Sequence, residues 1–374
     1  MDAGGRGSER RRASLGRVPR PPAPARHARG GRGAAARRAR WALRRLHLRV
    51  SGSAAGLRLG GRYELEGELA RGSMGVIHAA RDLTTGERVA IKTLVSDLVE
   101  TAGAERFTRE IRIVAALRHP GILPLLDSGT DRGMVYAVLP LVDGESLRDR
   151  LAARGALPVR EALRLAREIA EALAHAHAQG VIHRDIKPDN ILMAGDRPLV
   201  TDFGLARASA QLGGGRLTVP GMALGTPAYM APEQVQGADL DARADLYSLG
   251  CLLHEMLSGQ PPFKGATLME LLRAQLHDPL PDLVALRAEV PPIVAALVQR
   301  ATAKQPEERF VSAAEMARAL RACEESVATG RETTAARRAV RGVARALRPP
   351  RHAGGWLVLG ALAAAVTAFV LLGR

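Results

Sequence analysis

The chain has 374 residues, of which 47% are hydrophobic, so it can form one large globular domain with additional segments. Its formal net charge of +16 lies at the ends, since residues 1–62 contain 17 arginines against two acidic residues and residues 331–374 contain eight arginines against one. Residues 63–330 are mildly acidic, so the basic isoelectric point is no argument for nucleic acid as a partner of this region. Cys251 and Cys323 lack metal-ligand or redox spacing, which indicates a reducing compartment.

The first 60 residues consist mainly of arginine, glycine, alanine and proline, with no acidic residue from Arg10 to Arg62. Such a segment cannot bury enough apolar surface to fold, so we predict a disordered Arg-rich tail over 1–60. A basic helix over 35–50, with Trp41 among the arginines, is the alternative, and it would lie on anionic lipid or nucleic acid.

Residues 63–141 predict a small β-rich lobe with a single helix, and residues 142–327 predict a helical lobe, which together make an α+β fold. The predicted strands are short β-rich runs separated by turns, and the predicted helices show apolar residues at helical spacing. The strands are expected at Val76–Ala80, Arg88–Thr93 and Met134–Leu139, and the helices at Ala104–Arg118, Val159–Gln179, Ala242–Leu257, Ala266–Leu276, Pro292–Thr302 and Ser312–Ala322.

The C-terminal end of the chain predicts a membrane anchor. Residues 328–353 form a basic linker, and Trp356–Leu372 is a run without any charged residue. This run is at the short end of what a bilayer core of about 30 Å requires, but it is apolar on every face, so we predict a transmembrane helix over 354–373. Seven arginines from Arg331 to Arg351 precede it, and positive flanks stay in the cytoplasm.

Two motifs in the helical region point to phosphoryl transfer. The first is His-Arg-Asp-Ile-Lys-Pro-Asp-Asn over 183–190, and the second is Asp-Phe-Gly over 202–204. Asp185 can accept the proton of a hydroxyl group, and Lys187 can neutralise charge on the moving phosphoryl group. Asn190 and Asp202 have the oxygen ligands that suit magnesium.

Upstream motifs supply a nucleotide site. Glycine in a phosphate-binding loop lets backbone N–H groups approach the phosphates, and the loop expected here has Ala70 where a first glycine is usual. The short apolar run Val89-Ala90-Ile91 then leads to Lys92, and Glu110 follows on the predicted helix. The loop comprises Leu69, Ala70, Arg71, Gly72, Ser73, Met74, Gly75, Val76 and Ile77.

Together with Ala231-Pro232-Glu233, these motifs make residues 63–327 resemble a bacterial Hanks-type serine/threonine protein kinase. The resemblance implies a two-lobed protein-kinase fold that binds ATP and Mg²⁺, or Mn²⁺ instead, and phosphorylates Ser or Thr of protein substrates. It also implies that Lys92 contacts the ATP phosphates and pairs with Glu110. Adenine would lie between Leu69, Ile77, Ala90 and Leu192, against a hinge at Leu141 and Val142.

The resemblance extends to the segment 202–233, in which Thr218 is the expected autophosphorylation site. Relatives often have a second threonine two residues later, where this chain has Pro220. Thr226 would shape the substrate platform. The resemblance also implies three structural residues. Glu233 would pair with Arg309, and Asp245 would hold the backbone of the catalytic loop. His183 and Phe203 would belong to a buried apolar stack.

The sequence leaves two other functions to consider. A membrane-tethered pseudokinase, an ATP-binding scaffold, would have lost Lys92, Asp185, Asn190 or Asp202, and the chain retains all four. A small-molecule phosphotransferase of similar fold is disfavoured by the Ala-Pro-Glu segment, which is typical of kinases that act on proteins. The predicted transmembrane helix and the arginines before it indicate a single-pass protein of the inner membrane with a cytoplasmic kinase domain. The family resemblance suggests a homodimer for activation.

Overall fold

A computed structural model of the chain describes residues 56–72, 75–94, 114–131, 134–203 and 227–330, together with 334 and 338. Most of the predicted tail, most of the helix expected at Ala104–Arg118, nearly all of the basic linker and the span predicted at 354–373 lie outside the described residues. Within the described ranges, no helix combines the length and the hydrophobicity that a bilayer crossing needs.

The first lobe is a six-stranded antiparallel sheet with the spatial order β1-β2-β3-β4-β6-β5. One face carries a small core in which Tyr63, Ile91 and Tyr136 are buried. The predicted strands are confirmed within one to two residues at each end. The six strands are β1 Arg58–Leu59, β2 Tyr63–Gly72, β3 Gly75–Asp82, β4 Arg88–Leu94, β5 Asp127–Asp131 and β6 Met134–Pro140.

The second lobe is helical, with a large apolar core. Its longest helix, Val159–Ala178, packs against the helices Ala313–Thr329 and Arg243–Ser258 and the strand Arg197–Val200. The helix Arg243–Ser258 is buried along almost its whole length. The helices are α1 Leu147–Arg154, α2 Val159–Ala178, α3 Pro232–Val235, α4 Arg243–Ser258, α5 Leu268–His277, α6 Leu283–Leu286, α7 Pro292–Ala301 and α8 Ala313–Thr329.

The five helices expected in this lobe are present, and α8 is the one that differs most, because it continues seven residues beyond the predicted end at Ala322. It ends at Gly330, whose φ of +66° favours glycine. Its extra turns pack Cys323 and Ser326 into the core. A small sheet was not predicted, because its strands β7 Glu145–Ser146, β8 Ile191–Ala194 and β9 Arg197–Val200 are too short to show a period.

Four helices of this lobe, α1, α5, α6 and α8, begin at a side-chain cap. At the start of α1, the Ser146 side chain accepts a hydrogen bond from the backbone N–H of Asp149, and the Asp149 carboxylate accepts one from the backbone N–H of Ser146. Thr267 and Glu270 form the same reciprocal pair at the start of α5. The Ser146 cap fixes the direction in which α1 leaves β7, and with it the positions of the arginines on its first two turns.

A buried ion pair joins the start of α3 to the loop before α8. Arg309, which is 2% exposed, donates to both carboxylate oxygens of Glu233 at 2.6 and 2.7 Å. The remaining guanidinium donors go to the carbonyls of Ala303, Lys304 and Arg243. The expected pairing of Glu233 with Arg309 is therefore present, and it is fully hydrogen-bonded, as a buried charge must be.

We predict that Glu233→Gln destabilises the protein by about 3 kcal/mol or more, because it leaves a buried guanidinium without its counter-charge. Urea unfolding followed by circular dichroism measures the change. Glu64→Gln is the matched control, since its partner Arg58 is 59% exposed and such pairs contribute about 1 kcal/mol or less. Equal effects of the two substitutions would contradict the prediction.

Candidate active site

The predicted catalytic residues meet in the turn between α2 and β8. Lys187 Nζ lies 2.7 Å from Asp185 Oδ2. The Asn190 side-chain amide donates to the Asp185 carbonyl at 2.7 Å and to its carboxylate at 2.9 Å. The 3₁₀ turn Pro188–Asn190 brings Asn190 back towards Asp185. Asp185 therefore stands as a partly exposed carboxylate flanked by one cation and one amide.

The backbone of this turn is held from below by Asp245 on α4, as the sequence predicts. The Asp245 side chain is completely buried, and it accepts from the backbone N–H groups of His183 and Arg184 at 2.8 and 2.7 Å. His177 Nε2 lies 2.7 Å from the same carboxylate. Burial by itself would raise the pKa of Asp245, but the hydrogen bond and charge of His177 and the backbone donors lower it.

Two non-glycine residues of the site adopt a left-handed backbone, Arg184 at φ +69° and Asp202 at φ +66°. Such a conformation is costly for residues with a Cβ and persists only where the surroundings enforce it. At Arg184 the enforcing contacts are the N–H bond to Asp245 and a bond from the Gln234 side chain to the Arg184 carbonyl.

Asp202 faces the strand-rich lobe and contacts the lysine of β4. Lys92 Nζ lies 2.7 Å from Asp202 Oδ2, and both side chains are largely buried. The position of Lys92 is set by the register of β4, which places it opposite Ile77 on β3 and Ala137 on β6. The expected partner Glu110 lies outside the described residues. Among the described residues, Lys92 forms its ion pair with Asp202.

The donor set fits a hard divalent cation. Since the Asn190 nitrogen is committed to Asp185, the amide oxygen is the atom left for a ligand, and Asp202 contributes a carboxylate. In the described part of the chain, no group of three or more His, Cys, Asp or Glu side chains could hold a metal by itself. Asn190 and Asp202 therefore suit a cation whose other ligands come from elsewhere, such as phosphate oxygens.

His183 is a structural residue here, as expected. It is fully buried, its Nε2 lies 2.7 Å from the carbonyl oxygen of Thr201, and its ring packs edge-on against Phe203 with centroids 4.6 Å apart. Val114 packs against the same core as Phe203. An imidazole enclosed in this way cannot reach a substrate hydroxyl, whereas the carboxylate of Asp185 is partly exposed.

Most of the residues predicted for nucleotide binding lie on the sheet of the first lobe, and Leu192 lies on β8 of the second lobe. Gly72 and Gly75 face each other at the end of the β2–β3 hairpin, and Gly75 has a φ of +150° that favours glycine. Val76 and Ala90 are buried, Ile77, Leu141, Val142 and Leu192 are half-buried, and Leu69, Ala70 and Arg71 are exposed. Ser73, Met74, Thr218 and Thr226 lie outside the described residues.

One cluster beside the catalytic turn carries no signature in the sequence. Arg148 on α1 contacts Tyr229, Glu255 and Asp189, which come from three other elements. Asp189 belongs to the catalytic motif, and the other three residues are separated from it by tens of residues. Their proximity depends on tertiary packing, in which α1 contacts the Pro188–Asn190 turn.

The chain is similar to known proteins over this whole region. A family model described as a protein kinase domain matches residues 63–320. The serine/threonine-protein kinase PknB of Mycolicibacterium smegmatis is 40% identical over 265 residues, which cover 69% of this chain and 42% of that protein. PknD of Mycobacterium tuberculosis is 40% identical over 260 residues, covering 69% and 39%.

A crystal structure of Rad53 residues 1–466 in complex with AMP-PNP matches with a TM-score of 0.56 and 28% identity, covering 67% of this chain and 62% of that one. The chain spans about two fifths of the length of the curated relatives it matches.

We predict that Asp245→Asn lowers the unfolding free energy by about 3 kcal/mol at pH 7, because it removes a buried charge that several donors surround. Since the pKa of Asp245 is lowered by folding, its contribution is present above the unfolded pKa of about 3.9 and is lost as the pH falls through the folded value. Urea unfolding of both proteins at pH 7, 5 and 3 tests this.

The difference between wild type and variant should be smaller at pH 3 than at pH 5 and pH 7. Asp196→Asn is the control, because that side chain is 90% exposed and should change stability by about 0.5 kcal/mol or less. A difference as large at pH 3 as at pH 7 would show that the charge of Asp245 is not what stabilises the turn.

Proposed function

The chain belongs to the protein kinase family, and we propose that it is an ATP- and Mg²⁺-dependent serine/threonine protein kinase. One observation carries this proposal: the carboxylate of Asp185 lies within hydrogen-bond reach of both Lys187 and Asn190. Protein substrates, ATP and a divalent metal are what membership of the family implies, and Mg²⁺ suits the oxygen donors of Asn190 and Asp202.

In the proposed reaction, Asp185 orients the substrate hydroxyl and accepts its proton as the hydroxyl oxygen bonds to the γ-phosphorus of ATP. The bond from that phosphorus to the bridging oxygen breaks, and ADP leaves. Lys187 neutralises negative charge on the transferred group, and its contact with Asp185 places it on the same side of the acceptor. Lys92 binds the phosphates from the opposite lobe. The metal, when bound, neutralises charge on the phosphate oxygens and is held by Asn190 and Asp202.

We also propose that Thr218 is an autophosphorylation site and that two copies phosphorylate each other. The segment from 204 to 226, which contains Thr218, joins Phe203 to the platform at Pro227–Tyr229. Phosphate there would pair with arginine near the catalytic turn. The exchange between copies follows from the homodimer that the family resemblance suggests.

The full chain, incubated with Mg²⁺ and labelled ATP, should incorporate phosphate at Thr218, located by mass spectrometry. Asp185→Asn should reduce the rate by about 10²–10⁴-fold because it removes the proton acceptor. Nucleotide affinity should be unchanged, because Asp185 is assigned to the hydroxyl rather than to ATP. For a reaction between copies, the rate per molecule should rise with protein concentration.

Asp196→Asn is the matched control for that assay, since the residue is exposed and lies away from Asp185. Nucleotide binding without transfer in the wild type would favour the scaffold instead, and Ala70 and Pro220 would then be the residues to revert first.

We propose further that residues 354–373 anchor the kinase in the inner membrane, with the kinase domain in the cytoplasm and the basic linker against anionic lipid. The support is the uncharged run Trp356–Leu372 and the arginines that precede it.

The full chain should float with lipid vesicles in a density gradient and should resist extraction with alkaline carbonate, because a spanning helix is held by apolar burial rather than by charge. A control chain that ends at residue 353 should bind only anionic vesicles and should be released by salt, since only its arginines remain. Carbonate extraction of the full chain would overturn the anchor.

A further inference from the structure

An arginine fills an acidic pocket beside the catalytic turn. Arg148 donates from Nη1 to Glu255 Oε1 at 2.7 Å and from Nη2 to the Tyr229 hydroxyl at 2.8 Å. Its Nε and Nη2 each lie 3.3 Å from Asp189 Oδ2. The Tyr229 hydroxyl in turn donates to the second oxygen of Glu255. The guanidinium of Arg148 therefore donates hydrogen bonds to two carboxylates and to one phenol hydroxyl.

The pocket lies beside the turn that carries the candidate catalytic residues. Asp189 is in the Pro188–Asn190 turn, four residues after Asp185 and next to the candidate metal ligand Asn190. Tyr229 is in the Pro227–Tyr229 turn that begins the described chain after the predicted phosphosite segment. A peptide with its hydroxyl at Asp185 would therefore pass within side-chain reach of this cluster.

The charges of the cluster do not balance. Glu255 is 4% exposed and has two short hydrogen bonds, whereas Asp189 is 45% exposed and has only the two long ones. Burial and the neighbouring Glu255 carboxylate raise the pKa of Tyr229, so its hydroxyl stays protonated. With one cation and two carboxylates, the pocket is acidic, and Arg148 neutralises half of its charge.

Arg148 differs from the arginines that serve packing alone. Arg150, on the same helix, is 5% exposed and donates to Glu145 and to the carbonyl of Gly195. Arg309 is enclosed on all sides. The Arg148 side chain is 33% exposed and reaches the pocket from its solvent side. Removing it would open the pocket to solvent rather than leave a sealed cavity.

We propose that Arg148 is a specificity-determining residue that occupies the site where an arginine or lysine side chain of a substrate would otherwise bind. The inference rests on the proposed kinase function. The wild-type chain then has little preference for basic residues near the phosphoacceptor, because its own guanidinium already holds Glu255 and Tyr229. Without Arg148, the two carboxylates would bind a cation from the substrate by charge-assisted hydrogen bonds.

The test is peptide binding by fluorescence anisotropy with the full chain, using threonine peptides in which a single arginine is moved through the positions on both sides of the threonine. Wild type should bind the arginine and alanine peptides with similar affinity. Arg148→Ala should bind the arginine peptide about tenfold more tightly at one position, since a hydrogen bond to a charged group contributes at least that factor.

Two further readouts identify the pocket. The gain should fall as salt rises, because it is an ion pair, and methylguanidine should compete with the arginine peptide on the variant but not on wild type. Arg148→Met, which keeps much of the volume without the charge, should show the same gain. Arg148→Lys should not show it. Arg154→Ala is the matched control, since Arg154 is 54% exposed on the same helix and contacts only Glu161.

Three results would overturn the inference. The first is that wild type already prefers arginine peptides, and the second is that Arg148→Ala loses affinity equally for all peptides. The third is that neither Arg148→Ala nor Arg148→Met folds, which would make the cluster purely structural. Because the readout is binding, it decides the role of Arg148 even where no phosphate is transferred, and a lack of transfer by wild type would count against the proposed function alone.

Discussion

The buried carboxylate of Asp245 is the constraint on which the site depends. A fully buried charge is tolerated only when donors surround it, and the donors that Asp245 recruits are the backbone N–H groups of His183 and Arg184. These bonds hold Arg184 in a left-handed conformation that the chain would otherwise avoid. The following residues are then aimed outward, so that Asp185 is available and His183 is not.

The same principle recurs at each carboxylate that the C-terminal lobe encloses. Glu233 is matched by Arg309 and Glu255 by Arg148, and each pair joins elements that are distant in sequence. Pairs of this kind contribute less to stability than apolar packing of the same volume, but breaking one is costly. They therefore fix the relative positions of α1, α3, α4 and the catalytic turn. Between the lobes, Lys92 and Asp202 play the same part across the cleft.

Arg148 and Arg309 show that an arginine paired with a buried carboxylate can have two different consequences. Arg309 is closed off by protein on every side and can serve only the fold. Arg148 bonds to Glu255 and Tyr229 at 2.7 and 2.8 Å, but its side chain is partly open to solvent, and its more distant partner Asp189 is exposed. Exposure, rather than bond length, is what allows the second arginine to influence which substrates approach the catalytic turn.

The lobes, most of the helices and the candidate catalytic residues could be predicted from the sequence alone. Helices such as Val159–Ala178 are long enough to show a clear period, and Asp185, Lys187 and Asn190 lie within six residues of one another, so their proximity needs only a local turn. The tertiary structure decided the pairing of Lys92 with Asp202, which are 110 residues apart, and the grouping of Arg148 with Tyr229 and Glu255. It also decided the small sheet, whose strands of two to four residues are too short for a pattern. Contacts of this kind depend on how helices and sheets pack, and no periodicity along the chain records which side chains will meet.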